Sequence, residues 1–163
     1  MDWCLWDVAS FGTAAAVHEL FQNRSGSDSN NPKHKTNMRG SGSLPVNEKF
    51  TIRKIGLQFD NQVALADVFA LTDSAYVEIV VSDRIVCELP LIAIVDRNSY
   101  NGAIELASAA AQAAIGRPGD GYGFREPIEL SGGDSFSVRI TQTTVLSAAE
   151  DVRVNLYGDL VTG

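Results

Sequence analysis

From Glu48 onward the apolar residues of this chain fall on alternate positions in short runs, and turn-forming residues interrupt each run. A period of two buries one face of an extended segment and leaves the other to solvent, so this stretch constrains the chain to strands. Phe50, Ile52, Ile55, Leu57 and Phe59 follow the pattern apart from one slip at Arg53-Lys54, where a β-bulge fits. Further apolar runs cover residues 62–70 and 75–82, the second with Val77, Ile79 and Val81 on one face. Ser82-Asp83-Arg84 reads as a hairpin turn and residues 85–89 as the return strand, with Pro90 placing residues 91–95 near an edge or bend. Residues 126–130 form a short strand, Ser131-Gly132-Gly133-Asp134 a tight turn, and Phe136, Val138 and Ile140 alternate toward the core after it. Val152, Val154, Leu156 and Leu160 share one face of the closing segment, residues 151–161.

Seven or eight short strands joined by short turns over residues 47–163 indicate an all-β sandwich or barrel. One stretch resists this reading. Residues 96–102 are turn chemistry and 116–123 a Gly- and Pro-rich loop, but the Ala-rich stretch between them is open to helix or strand, with helix favoured by propensity over 107–115.

Ahead of the body lie two segments of opposite composition. Residues 1–22 hold Trp3, Trp6, Phe11, Leu20 and Phe21, and Thr13-Ala14-Ala15-Ala16 predicts a short helix over about 13–22. Residues 23–46 read as a polar linker or arm, because 23–43 is rich in Ser, Asn and Gly with only Met38 apolar. This separation leaves the leader two destinations, its own core or a neighbouring subunit. The expectation is that the leader is an assembly element, so that a chain lacking residues 1–43 keeps its fold and loses higher-order association. Lys33-His34-Lys35 and Arg39 form a small basic cluster within the linker, which reads as a solvated segment or as a contact to an acidic neighbour or nucleic acid.

Residues 1–46 carry four basic and four acidic side chains, so the remaining 117 residues carry the whole formal charge of −7. That acidity argues against direct nucleic-acid binding by the body. No run reaches the ~20 apolar residues that span a bilayer, and no basic-then-apolar secretory pattern opens the sequence, so synthesis in the cytoplasm of the producing cell is expected. Cys4 and Cys87 lie far from any C-x-x-C pattern and read as packed thiols.

Catalytic chemistry finds little to work with. The two histidines, His18 and His34, fall in the leader and the linker, which disfavours Ser–His–Asp or cupin-like metal chemistry. Asp96, Asp120, Glu126 and Asp134 match no calcium-loop spacing and read as turn residues. The glycines of 116–123 lack the Lys-Ser/Thr of a phosphate loop. The expectation is therefore a protein that is not an enzyme and uses no cofactor or metal. Arg117, Tyr122, Phe124 and Arg125, on or beside the long loop, join Trp3, Trp6, Phe11, Leu20 and Phe21 of the leader as interface candidates.

The segment Glu126-Pro127-Ile128-Glu129-Leu130-Ser131-Gly132-Gly133-Asp134-Ser135-Phe136, continued to Ile140 and followed by the closing strand 152–160, resembles the late strands of small jelly-roll proteins of bacteriophage virions. Leu20-Phe21-Gln22-Asn23-Arg24 and Leu44-Pro45-Val46-Asn47-Glu48-Lys49-Phe50 are similar to the arm and first strand of such capsid or capsid-decoration (cement) chains, and the likeness extends over about two-thirds of the sequence. The resemblance implies a jelly-roll/Greek-key β-sandwich of about eight strands with an N-terminal arm, and a virion structural protein, a homo-oligomer in contact with other capsid subunits; the acidic body suggests an outward-facing position. A carbohydrate- or receptor-binding β-sandwich is the alternative, with Tyr100, Tyr122 and Phe124 as its candidate aromatics.

Overall fold

A computed structural model describes residues 1–59, 63–94, 104–105, 112–113 and 121–163. The chain runs β1 (Asp2–Phe11), β2 (Ala16–Leu20), β3 (Glu48–Phe59), α1 (Leu65–Ser74), β4 (Tyr76–Val81), β5 (Arg84–Pro90), α2 (Leu91–Ile94), the small hairpin β6 (Ile104–Glu105) and β7 (Gln112–Ala113), then β8 (Tyr122–Ser131), β9 (Phe136–Gln142) and β10 (Glu150–Thr162). Two antiparallel four-stranded sheets, β1-β10-β3-β8 and β2-β9-β4-β5, carry the fold as an all-β sandwich. Its pairing is nested: β1 lies against β10, β2 against β9, β3 against β8 and β4 against β5, like one long hairpin folded across two sheets. Cross-links β10–β3 and β9–β4 complete each sheet.

The alternation seen in the sequence explains these strands. Phe50, Ile52 and Ile55 of β3, Phe136, Val138 and Ile140 of β9, and Val152, Val154, Leu156 and Leu160 of β10 meet in one buried cluster between the sheets. The slip at Arg53 is a bulge: Ile52 pairs with Gly158 while Lys54 pairs with Tyr157, leaving Arg53 as the extra residue. The neighbouring backbone is so close that a Cβ on Gly158 would sit 1.9 Å from the Thr51 carbonyl, which restricts that position to glycine. Ser82 and Asp83 turn β4 into β5 with φ of 48° and 62°, the left-handed pair that a two-residue hairpin requires. The turn after β8 closes through Asp134, whose carboxylate accepts from the Ser131 N–H at 3.1 Å.

Several expectations need correction. Residues 13–22 do not form a helix: 16–20 are strand β2, paired with β9 along its length. The helix preference of three alanines amounts to only some tenths of a kcal/mol per residue, and an isolated helix of that length is marginal, so strand pairing and the burial of Leu20 prevail. The run 62–70, read with the strands, is instead the start of helix α1, whose Val68 and Leu71 share one buried face, and a further single helical turn, α2, follows Pro90. Nor is the leader separable from the body, since Leu5, Phe11, Leu20 and Phe21 all belong to the sandwich core. A chain without residues 1–43 would lose an outer strand from each sheet together with those side chains. The predicted helix over 107–115 lies outside the described residues except at 112–113, which are strand.

The polar stretch 23–46 is also built in. Thr36, Asn37, Met38 and Leu44 are buried, and the segment crosses the open edge of β1 on its way to β3. No helix among the described residues is long and apolar enough to cross a membrane.

Candidate binding cleft

The edge of β1 is capped at Cys4 and Trp6 by one residue, Asn37. Asn37 Oδ1 accepts from the Trp6 N–H at 2.8 Å, its Nδ2 donates to the Cys4 carbonyl at 2.8 Å, and its own N–H donates to the Trp6 carbonyl at 3.2 Å. An amide can take the place of a neighbouring strand because it carries a donor and an acceptor side by side. The edge is thereby blunted against pairing with another chain. Farther along β1, the buried Asp7 carboxylate accepts from the Phe21 N–H at 2.5 Å and the Val8 N–H at 3.0 Å, which fastens the end of β2 to β1. Burial pushes the Asp7 carboxyl above the ordinary carboxylate range, against the opposing pull of its bonds to Phe21, Val8 and Thr36.

Between β1 and this crossing segment lies a cleft of about 530 Å³, lined by both tryptophans of the protein and by Arg24, Lys33, Met38 and Arg39 among others. The Trp6 indole N–H donates to the Lys33 carbonyl at 3.3 Å, fixing the ring against the segment. The Arg39 guanidinium stands 5.1 Å from the Trp3 ring centroid and pairs with the buried Glu48 carboxylate, so one cation is both stacked and neutralised. Arg24 and Lys33 are exposed, and neither has a carboxylate within ion-pair distance among the described residues. The cleft therefore combines indole surface, a Met38 floor and two cations free to meet an anion.

The predicted interface residues separate into groups. Trp3 and Trp6 are half-buried at the cleft. Phe11, Leu20 and Phe21 are core side chains, with Phe11 against the His18 ring at 4.1 Å and Phe21 against Phe136 at 5.7 Å between centroids, so none of them is offered to a partner. Tyr122 and Phe124 touch edge to face at 5.7 Å and pack half-buried on the core at the start of β8. Arg125 is exposed beside them, while Arg117, Tyr100, Asp96 and Asp120 lie outside the described residues. Arg24, Asn37 and Met38 were not singled out as site residues by sequence reasoning, although the basic cluster Lys33-His34-Lys35 with Arg39 pointed to the same segment.

Reactive groups are dispersed. His18 is on β2, not on a separable leader, and its Nε2 lies 3.0 Å from Gln142 Oε1. Cys4 and Cys87 belong to different sheets and are free; burial raises both thiols, Cys4 to about 11, so neither supplies much thiolate near neutral pH. Among the described residues no three His, Cys, Asp or Glu side chains gather as a metal site would require. No protein-family model, curated protein or solved structure matches the chain.

Proposed function

We propose that this protein is a virion structural subunit, a capsid or capsid-decoration chain of jelly-roll type that associates with copies of itself and with neighbouring shell subunits. The observation that carries the reading is the nested pairing of the first four major strands with the last four. That is the pattern expected when two Greek keys are wound into facing sheets, and it agrees with the resemblance of residues 126–140 to late strands of phage jelly-roll chains. The surface offers material for assembly. Ile85 and Val86 on the outer strand β5, and Val17 on the outer strand β2, are each about half exposed or more, at 54%, 48% and 60%. Association through such strand edges and loops would use the sandwich as a rigid building block and needs no catalytic group.

Sedimentation velocity or native mass spectrometry of the full chain tests this. The expected result is a closed oligomer, such as a trimer or pentamer, or a shell-sized particle. A monomer at every concentration up to the solubility limit contradicts self-association and with it the proposed role.

A further inference from the structure

The cleft on β1 has a composition that strand packing alone does not call for. Tryptophan can be buried in any core, yet the two indoles of this chain stand together at an opening, beside Arg24 and Lys33, which have no carboxylate partners among the described residues. Its volume, about 530 Å³, lies within the range of small-ligand sites. An occupant must offer an apolar flat face to the indoles and a negative charge to the two cations. A nucleic acid has stacking bases, but a long polyanion is repelled by a chain of formal charge −7. An acidic peptide side chain brings the carboxylate without the flat face. An acidic sugar joins a carboxylate to a ring with a C–H face and with hydroxyls that the half-buried Ser25 at the cleft can meet.

We infer that the Trp3–Trp6 cleft is a binding site for an acidic saccharide, with Arg24 and Lys33 receiving the carboxylate and the indole surface receiving the ring. The inference is independent of the assembly role and stands whether or not the chain oligomerises. The ligand is a free acidic monosaccharide or the terminal residue of a longer glycan, and the two sources present the same group to the cleft.

Trp3 and Trp6 are the two tryptophans of the chain, so intrinsic fluorescence reports the cleft directly. The full chain is titrated with glucuronic acid and N-acetylneuraminic acid, each free and as the terminal residue of an oligosaccharide, and with glucose and galactose as neutral counterparts. A saturable change in tryptophan emission is expected for the acidic sugars, with millimolar or tighter affinity, and none for the neutral ones. A stronger response to the oligosaccharides assigns the site to glycan ends, and an equal one to the free sugar. The double variant Arg24→Glu, Lys33→Glu changes exposed residues only, and should weaken binding by about tenfold or more with an unchanged circular dichroism spectrum. The inference is overturned by any of four results: no saturable change at millimolar acidic sugar, equal response to neutral sugars, undiminished affinity in the double variant, or a response confined to oligoglutamate or an oligonucleotide.

Discussion

Residues 2–20 and residues 23–46 sit side by side in the sequence and are held in the molecule by different physics. The first region supplies strands β1 and β2, one to each sheet, and is anchored by Leu5, Phe11 and Leu20 in the core. The second has no regular strand, and is anchored by the Asn37 bonds to the β1 edge, by Met38 and Leu44, and by the Arg39–Glu48 pair. Burial in the first region is extensive and non-directional, so it survives small losses of geometry. The second depends on a few directional contacts that fail when one partner is removed. An apolar segment and a polar one can thus be equally ordered, but they should respond very differently to substitution.

The sharpest way to break the comparison is to remove both regions. Deletion of residues 1–43 takes out β1, β2 and the core side chains they carry, and the remaining chain is expected to lose cooperative thermal unfolding and near-ultraviolet dichroism altogether. A fragment that still melts cooperatively would show that the two regions are accessory. Within the strand region, Phe11→Ala should cost about 3–5 kcal/mol in urea unfolding, because the side chain is fully buried and its loss leaves a cavity. In the polar region, Asn37→Ala leaves the Trp6 N–H and the Cys4 carbonyl without their partner and should cost about 1–3 kcal/mol, with faster tryptic cleavage after Arg24 and Lys33. Unchanged cleavage would mean that the segment is held by Met38 and its apolar neighbours instead.

The smallest effect concerns the contact that ties the two strands together at Asp7. Its carboxyl is raised above the 3.8 of an unperturbed aspartate, chiefly by burial, so the folded state binds its proton more tightly than the unfolded chain does. The stabilisation from this group is therefore complete below about pH 3.8 and is lost as pH rises through the raised value. In Asp7→Asn that slope should vanish, so the stability difference between wild type and variant, followed by urea unfolding from pH 3 upward, should shrink as pH increases. A difference that grows with pH would mean that the backbone donors, and not burial, dominate at this carboxylate.

The body was readable in detail because each of its signals is local. Alternation placed Phe136, Val138 and Ile140 inward, and the slip at Arg53-Lys54 marked the bulge, since one extra residue must interrupt a period of two. Ser82-Asp83 marked the hairpin, since few residues accept two left-handed conformations in succession. The leader was misread for the same reason: Thr13-Ala14-Ala15-Ala16 carries a local preference for helix, while the pairing of β2 with Thr141 and Gln142 comes from more than a hundred residues away. The cleft was legible only in fragments. Two tryptophans and a basic cluster were visible as separate features, but nothing local indicates that Asn37 folds the segment back onto Trp6 and so brings Lys33 to the indole.

By itself, then, the sequence determined the strand character of residues 48–59, 76–81, 85–89, 126–130, 136–140 and 151–161 and the turns at 82–83 and 131–134, because side-chain periodicity and turn stereochemistry act over a few residues. The tertiary structure alone decided that the N-terminal aromatics divide between core and cleft, that a polar segment closes a sheet edge, and that Arg24, Lys33 and both tryptophans share one opening. Those outcomes depend on pairing and burial between segments far apart in the chain, where the free energy of long-range contacts outweighs the small preferences that each segment has alone.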